Sequence, residues 1–72
     1  MFHITLTPAF GRDYKSKAAV LADFNENKLF RIADLHHPHS GRTASRSDLL
    51  ASGVHTVNIR YKQLTRIAVV EL

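Results

Sequence analysis

The apolar residues of this sequence change their spacing several times within 72 positions. Alternation of apolar and polar residues is typical of a strand with one buried face, whereas apolar residues three or four positions apart indicate a helix. Both spacings occur here, each over a short segment. We therefore expect a small domain that combines strands and helices around one core.

The N-terminal half predicts a strand, a helix and a second strand. Residues 2–6 alternate between apolar and polar side chains, and Pro8 ends the run. Apolar residues then recur at helical spacing over about residues 14–25, with Asp13 or Ser16 as the candidate N-cap. Residues 29–33 again have the pattern of a strand. A connection of this length is sufficient for a right-handed crossover that makes the two strands parallel.

A polar loop and a short helix are expected next. Residues 36–43 have no hydrophobic period and are rich in His, Pro, Gly and Ser, which is typical of an exposed loop. Ser45 and Asp48 have the spacing of a capping box, which predicts a helix over about residues 46–52. Gly53 falls where such a helix ends.

Two more strands complete the predicted fold. Residues 57–61 alternate, and residues 67–70 follow after a short turn, so the two segments indicate a hairpin. The last strand is apolar on both faces, which predicts a central position in the sheet. The order β-α-β-α-β-β indicates an α/β fold of the α+β sandwich type, with two layers: helices cover one face of a four-stranded mixed sheet, and residues 1–72 form one domain.

Composition excludes several classes of protein. The absence of cysteine rules out disulfide frameworks, thiolate zinc sites and thiol catalysis, and suits a reducing compartment. No apolar run approaches the roughly 18 residues of a membrane span, so we expect a soluble cytoplasmic protein with no membrane contact. No catalytic motif is present, and a domain this small lacks room for a substrate cavity unless it oligomerises. We therefore expect neither enzymatic activity nor a cofactor.

Charge points to a polyanionic partner. Ten Lys and Arg against six Asp and Glu give a net charge of +4 and a pI near 10.0, which favours nucleic acid or an acidic protein surface. If the apolar strand positions face the helices, the alternate positions share the open face of the sheet. Those positions carry Arg31, Asn58, Arg60 and Lys62, with Thr5 and Thr7 beside them.

We expect this basic, hydroxyl-rich face to contact nucleic-acid phosphates, with little capacity to read bases. The strand aromatics Phe2, Phe30 and Tyr61 fall in the buried phase, so the platform that stacks single-stranded bases is missing. Binding to a duplex or to the phosphate backbone is therefore favoured over single-strand stacking. The alternative that stays open is an ordinary solvated sheet face.

The loop before the second helix is a second candidate site. Residues 39–46 combine Arg42 and Arg46 with several hydroxyl groups in front of a helix N-terminus, which are the ingredients of an anion site. The spacing does not match a phosphate-binding P-loop. A flexible polar loop followed by a capped helix accounts for the same residues, so both interpretations stay open.

A cluster of metal-binding residue types is the third candidate. Asp34, His36, His37 and His39 offer a carboxylate and three imidazoles to zinc or a later first-row metal. Their spacing matches no closed structural site, so we do not predict a bound metal. Because imidazoles titrate near neutral pH, a pH-responsive surface is the other interpretation of the cluster.

Residues 7–17 contain more special residues than a strand-to-helix loop needs. Phe10 and Tyr14 are expected to close one end of the core, and Gly11 permits an unusual backbone angle. Positive charges near the first turn of the helix oppose its dipole, a local cost that an approaching anionic partner would offset. Two packed aromatics with solvated basic side chains are the simpler interpretation.

The same segment carries a resemblance. The sequence Thr-Pro-Ala-Phe-Gly-Arg-Asp-Tyr-Lys-Ser at residues 7–16, with Ala-Asp-Phe-Asn at 22–25 and Val-Asn-Ile-Arg-Tyr at 57–61, resembles small, mostly uncharacterised single-domain proteins of bacteriophages and other bacterial mobile elements. The resemblance implies a genomic setting in which proteins of this size often bind a host protein or nucleic acid. It transfers no catalytic or binding residue.

Two functional hypotheses follow. The first is a small basic, non-catalytic protein that contacts the backbone of DNA or RNA through Arg31, Arg60 and Lys62, extended by Arg42 and Arg46. The second is a modulator that binds an acidic host protein, and inhibits or redirects it, through the same face or a sheet edge. If the first strand lies at an edge, it also offers a homodimer interface that doubles the basic surface.

Overall fold

The computed structural model of the chain describes residues 3–61 and 64–72, and for residues 64–68 it describes the backbone alone. The described residues form a small α+β domain in which two helices pack against a mixed sheet of five strands. In chain order the elements are β1 (His3–Pro8), α1 (Lys17–Asn25), β2 (Phe30–Ile32), β3 (Thr43–Ala44), α2 (Arg46–Ala51), β4 (Thr56–Tyr61) and β5 (Leu64–Glu71).

The sheet has one strand more than the sequence indicates. The additional strand is β3, which pairs antiparallel with β2. It follows a bulge in which the Gly41 N–H donates to the Ile32 carbonyl (2.9 Å) while the Ile32 N–H donates to the Arg42 carbonyl (2.8 Å). Gly41 has a φ of 84°, as the first residue of a G1 bulge requires. The prediction of a four-stranded sheet is therefore wrong, because this turn folds the end of the polar loop back onto β2.

The strand order is β3-β2-β1-β4-β5, with β1 at the centre. β1 is parallel to β4 but antiparallel to β2, so the predicted parallel crossover between the first two strands is wrong. Pro8 lies opposite Phe30, which means that β2 starts where β1 ends. Because β2 starts beside the end of β1, the segment between them, which contains α1, begins and ends at the same end of the sheet.

The strand positions at the edges also differ from expectation. β5 lies at an edge rather than at the centre, because the parallel pairing of β1 with β4 leaves the outer side of β4 for the C-terminal hairpin. Its apolar residues divide between two environments: Val70 packs against the core, whereas Val69 is 52% exposed. The first strand is central, so it has no free edge with which to form the homodimer interface considered above.

Local capping sets where both helices begin. Of the two candidate caps, Ser16 is the one used: its hydroxyl accepts from the Ala19 N–H (3.2 Å), so α1 begins at Lys17 rather than about residue 14. The predicted capping box of α2 is confirmed. The Ser45 N–H donates to the Asp48 carboxylate (3.0 Å), and the Asp48 N–H donates to the Ser45 hydroxyl (3.3 Å).

The alternate strand positions that the sequence predicts to be buried are buried in the structure. Both helices pack against the face of the sheet that carries these side chains. Phe2, which shares this predicted phase, lies outside the described residues. Aliphatic and aromatic side chains from four strands and both helices meet in one cluster, which leaves the other face of the sheet to solvent. The cluster includes Ile4, Leu6, Val20, Phe24, Phe30, Ile32, Leu49, Val57 and Ile59.

Candidate functional site

The solvent-facing side of the sheet carries two of the predicted arginines in one row. Thr5 lies opposite Asn58 in the parallel register of β1 and β4, so advancing two residues on each strand brings Thr7 beside Arg60. Arg31 lies opposite Thr7 on its other side. We call Arg31, Thr7 and Arg60 the arginine row. Its two arginine Cα atoms lie two strand spacings apart, about 10 Å.

Both arginines of the row are exposed, and the polar residues around them are partly buried. Asn58 and Thr5 lie on the same face, and Thr43 extends the row beyond Arg31 onto β3. Lys62, the fourth residue predicted for this face, lies outside the described residues. The face therefore offers two guanidinium groups surrounded by hydroxyl and amide groups, a set suited to phosphate oxygens.

One hydrogen bond orients Arg31. Its Nη1 donates to the Gly41 carbonyl (2.9 Å), so the bulge that begins β3 also holds the guanidinium across the sheet edge. A guanidinium has five N–H donors, and this bond uses one of them. The remaining donors are available to an anion. Because the hydrogen bond already restrains the Arg31 side chain, less conformational freedom is lost when the anion binds.

Charge along the open face is unequally distributed. Glu71 lies opposite Thr56, which in turn lies opposite His3 at the start of β1. The Asp34 carboxylate accepts a hydrogen bond from the Thr5 N–H (3.2 Å), also away from the end of β1. Glu71 and Asp34 therefore lie towards the start of β1, whereas the arginine row crosses the sheet near the end of β1.

The structure separates Arg42 and Arg46 from the arginine row. Thr43 shares the open face with Arg31, whereas Arg42, one position earlier, lines a cleft on the helix side of the sheet. Arg46 is in the first turn of α2 and is half-buried, and its Nε has no hydrogen-bond partner within the described residues. The six residues predicted for one basic surface therefore do not all lie together.

The cleft has a volume of about 370 Å³ and lies between α2, the sheet and the loop before β3. Apolar side chains including Ile32 and Leu49 line it, and Arg42, His39 and Asp48 add polar groups. The expectation that a domain of this size lacks room for such a cavity is wrong. Arg42 reaches the cleft because successive side chains alternate in direction: Thr43 shares the face of Arg31, so Arg42 lies on the side of Ile32.

The four candidate metal ligands are not gathered around one point. The His39 N–H donates to His37 Nδ1 (3.0 Å), which occupies that ring nitrogen. The Asp34 carboxylate is engaged with the β1 backbone, and His36 is exposed. Among residues 3–61 and 64–72, no three His, Cys, Asp or Glu side chains form a group able to hold a metal ion.

A tight turn after β1 presents Phe10 to solvent. Phe10 and Gly11 have φ values of 60° and 68°, and the Arg12 N–H donates to the Ala9 carbonyl (3.2 Å), so the segment is a type I′ turn. Phe10 is 69% exposed, so the prediction that it closes the core is wrong. Gly11 indicates an unusual backbone angle in this turn, but the sequence does not predict that Phe10 adopts the left-handed conformation as well.

Tyr14 takes the core position predicted for it. Its ring lies parallel to that of Phe30 (6.3 Å between centroids) and edge-on to that of Tyr61 (5.5 Å). Its N–H donates to the Tyr61 hydroxyl (2.6 Å). Burial, together with the interaction of its hydroxyl with Asp23, raises the pKa of Tyr14 to about 12. The same interaction and the nearby Lys28 amine lower the pKa of Asp23.

Comparison of the chain with protein-family models, with curated proteins and with solved structures gave no match. Neither helix in the described part of the chain has the length and hydrophobicity needed to cross a bilayer. The fold and the site together define a small α+β domain with a polarised, arginine-bearing sheet face. An assignment of function therefore rests on the chemistry of that face.

Proposed function

We propose that the protein binds the phosphate backbone of nucleic acid through the open face of its sheet, without catalysis. The arginine row carries this proposal, because it presents two exposed arginines from β2 and β4, the two strands that flank β1. Arg31 and Arg60 bind phosphate oxygens, and Thr7, Thr5 and Asn58 supply further hydrogen bonds.

The distribution of charge supports this use of the face. Phosphate contacts need positive charge without nearby carboxylates, and the arginine row lies away from Glu71 and Asp34. Lys62 follows β4 in sequence and stays a predicted member of the interface. Arg42 and Arg46 lie on the helix side, so we leave them outside the proposed footprint. A phage or mobile-element origin and a cytoplasmic location belong to the same proposal.

Two double variants with equal charge test the proposal. Arg31→Gln with Arg60→Gln removes both guanidinium groups of the row, whereas Arg42→Gln with Arg46→Gln removes the same charge from the helix side. Fluorescence anisotropy with labelled oligonucleotides of arbitrary sequence measures affinity at about 50 and about 200 mM salt. We expect the first variant to bind more weakly, with its salt slope reduced by about 2, and the second to resemble the wild type.

Several results would overturn the proposal. Equal losses in both double variants would mean that net charge, rather than the arginine row, determines binding. Absence of binding at the lower salt concentration would leave the competing proposal of an acidic host protein as the better explanation of the basic face. Strong dependence on oligonucleotide sequence would contradict recognition of the backbone.

A further inference from the structure

We propose that Phe10 stacks on an unpaired base at the end of the arginine row, so that the ligand is single-stranded nucleic acid. This inference rests on the function proposed above and narrows its ligand class. It also replaces the expectation that the stacking component is missing. That expectation considered only aromatic residues within strands, whereas Phe10 lies in the turn that follows β1.

The backbone of Phe10 is the first observation. A type I′ turn requires positive φ at both central positions, and Asn-Gly is the sequence that favours it most. This chain has Phe-Gly there, with Phe10 at a φ of 60°. Left-handed backbone is disfavoured for a residue with a bulky side chain, so Phe10 weakens the turn it occupies. A residue that costs stability and buries little apolar surface points to a role in binding.

The exposure of Phe10 is the second observation. Its side chain is 69% exposed, whereas Phe24 and Phe30 are fully buried and Tyr61 is 8% exposed. Tyr14 is partly buried against the core. Within the described part of the chain, Phe10 is therefore the aromatic ring that presents a free face to solvent. A planar ring accepts any base, so stacking adds affinity without sequence preference.

The turn that carries Phe10 is firmly held. The Ala9 carbonyl accepts both from the Arg12 N–H (3.2 Å) and from Arg12 Nε (3.1 Å). The Arg12 guanidinium lies 4.8 Å above the centre of the Phe30 ring, and Ala9 is buried. Arg12 therefore ties the turn to the core, and little ordering of this segment is needed on binding.

Topology brings the turn to the arginine row. Thr7 lies opposite Arg31 and Pro8 lies opposite Phe30, after which the chain enters the turn. Phe10 is thus three residues beyond the centre of the row, at the end of the sheet away from Glu71. The proposal requires a strand whose phosphates contact the arginines to extend past this end of the sheet, where one of its bases meets the ring. In a duplex the bases are already stacked on each other, so the ring favours an unpaired strand.

Phe10→Trp gives a direct reporter, because the chain contains no other tryptophan. The ligands are an oligothymidylate and an abasic oligomer of the same length, which has the phosphates but no bases. We expect oligothymidylate to quench the fluorescence of Phe10→Trp and the abasic oligomer to leave it nearly unchanged. Unchanged fluorescence when oligothymidylate is bound would overturn the proposal.

Phe10→Asn provides the matching test of affinity. Asn-Gly suits the type I′ turn, so this variant keeps the fold while losing the ring. We expect its affinity for oligothymidylate to fall about ten-fold and its affinity for the abasic oligomer to stay the same. Equal affinities of Phe10→Asn and the wild type for oligothymidylate would overturn the stacking role.

The two ligands also separate this inference from the function on which it rests. If the wild type binds neither oligomer, the proposed function fails and stacking fails with it. If Arg31→Gln with Arg60→Gln weakens both complexes while Phe10→Asn weakens neither, backbone binding stands and the stacking role is wrong. A preference of the wild type for duplex DNA over oligothymidylate would likewise contradict the single-stranded ligand.

Discussion

Arg31 on β2 and Gly41 in the bulge before β3 are joined by a 2.9 Å hydrogen bond from the guanidinium to the carbonyl. The bond connects the feature that creates the extra strand with a side chain proposed to bind phosphate. Gly41 has a φ of 84°, and no neighbouring atom lies within 4 Å of the position a Cβ would occupy. Its importance is therefore conformational rather than steric.

Gly41→Ala is expected to lower the free energy of unfolding by about 1–2 kcal/mol, because alanine is disfavoured in left-handed backbone. Loss of the bulge also releases Arg31, so oligonucleotide affinity should fall. Urea unfolding and fluorescence anisotropy measure the two effects. Ser40→Ala, at the neighbouring exposed position, is the control and should leave both unchanged. Normal stability of Gly41→Ala would show that the bulge does not need this conformation.

Phe10→Asn is expected to raise the free energy of unfolding by about 1 kcal/mol while weakening binding, because asparagine tolerates the left-handed conformation better than phenylalanine. Gly11→Ala, at the other left-handed position of the turn, should lower the free energy of unfolding. Thermal and urea unfolding measure both changes. A loss of stability in Phe10→Asn would mean that the phenylalanine ring contributes to packing.

Ser45→Ala is expected to destabilise the protein by about 1 kcal/mol, because it removes the hydroxyl that accepts from the Asp48 N–H at the start of α2. The control is Ser40→Ala, since Ser40 lies in the loop before β3 and caps neither helix. Equal stabilities of the two variants would show that the capping box contributes nothing measurable.

The raised pKa of Tyr14 predicts that the protein loses stability at alkaline pH. This pKa is raised from 10.0 to about 12, so the folded state holds the phenol proton more tightly than the unfolded state does. The resulting stabilisation is complete below about pH 10 and disappears as the pH rises towards about 12. Tyr14→Phe cannot ionise and should lose less stability over this interval. Urea unfolding at neutral pH and at about pH 11 measures the loss of stability in the wild type and in Tyr14→Phe. Identical losses in the two proteins would contradict the prediction.

Alternating residues allow the face of a side chain to be predicted, but not the neighbours of its strand. The apolar phase of β1, β2 and β4 follows from the sequence, and with it the exposure of Arg31 and Arg60. The direction of β2 does not, because connection length shows only that a parallel crossover is sterically possible. Apolar residues on both faces of β5 likewise failed to identify an edge strand, since Val69 remains largely exposed.

The features that the sequence did not reveal depend on single backbone conformations. β3 has two residues, too few to show a period, and it exists through the bulge at Gly41. The exposure of Phe10 follows from a φ of 60°, a conformation that its residue type disfavours. Composition and residue spacing do not predict such conformations of single residues.

The most direct test of the proposed interface is an NMR titration of the ¹⁵N-labelled protein with a short oligothymidylate at low and at physiological salt. We predict that amide shifts concentrate on Thr7, Arg31 and Arg60, extend to Phe10, and weaken as salt rises. Shifts concentrated around the cleft at Arg42, or no shifts even at low salt, would contradict nucleic-acid binding by the open face.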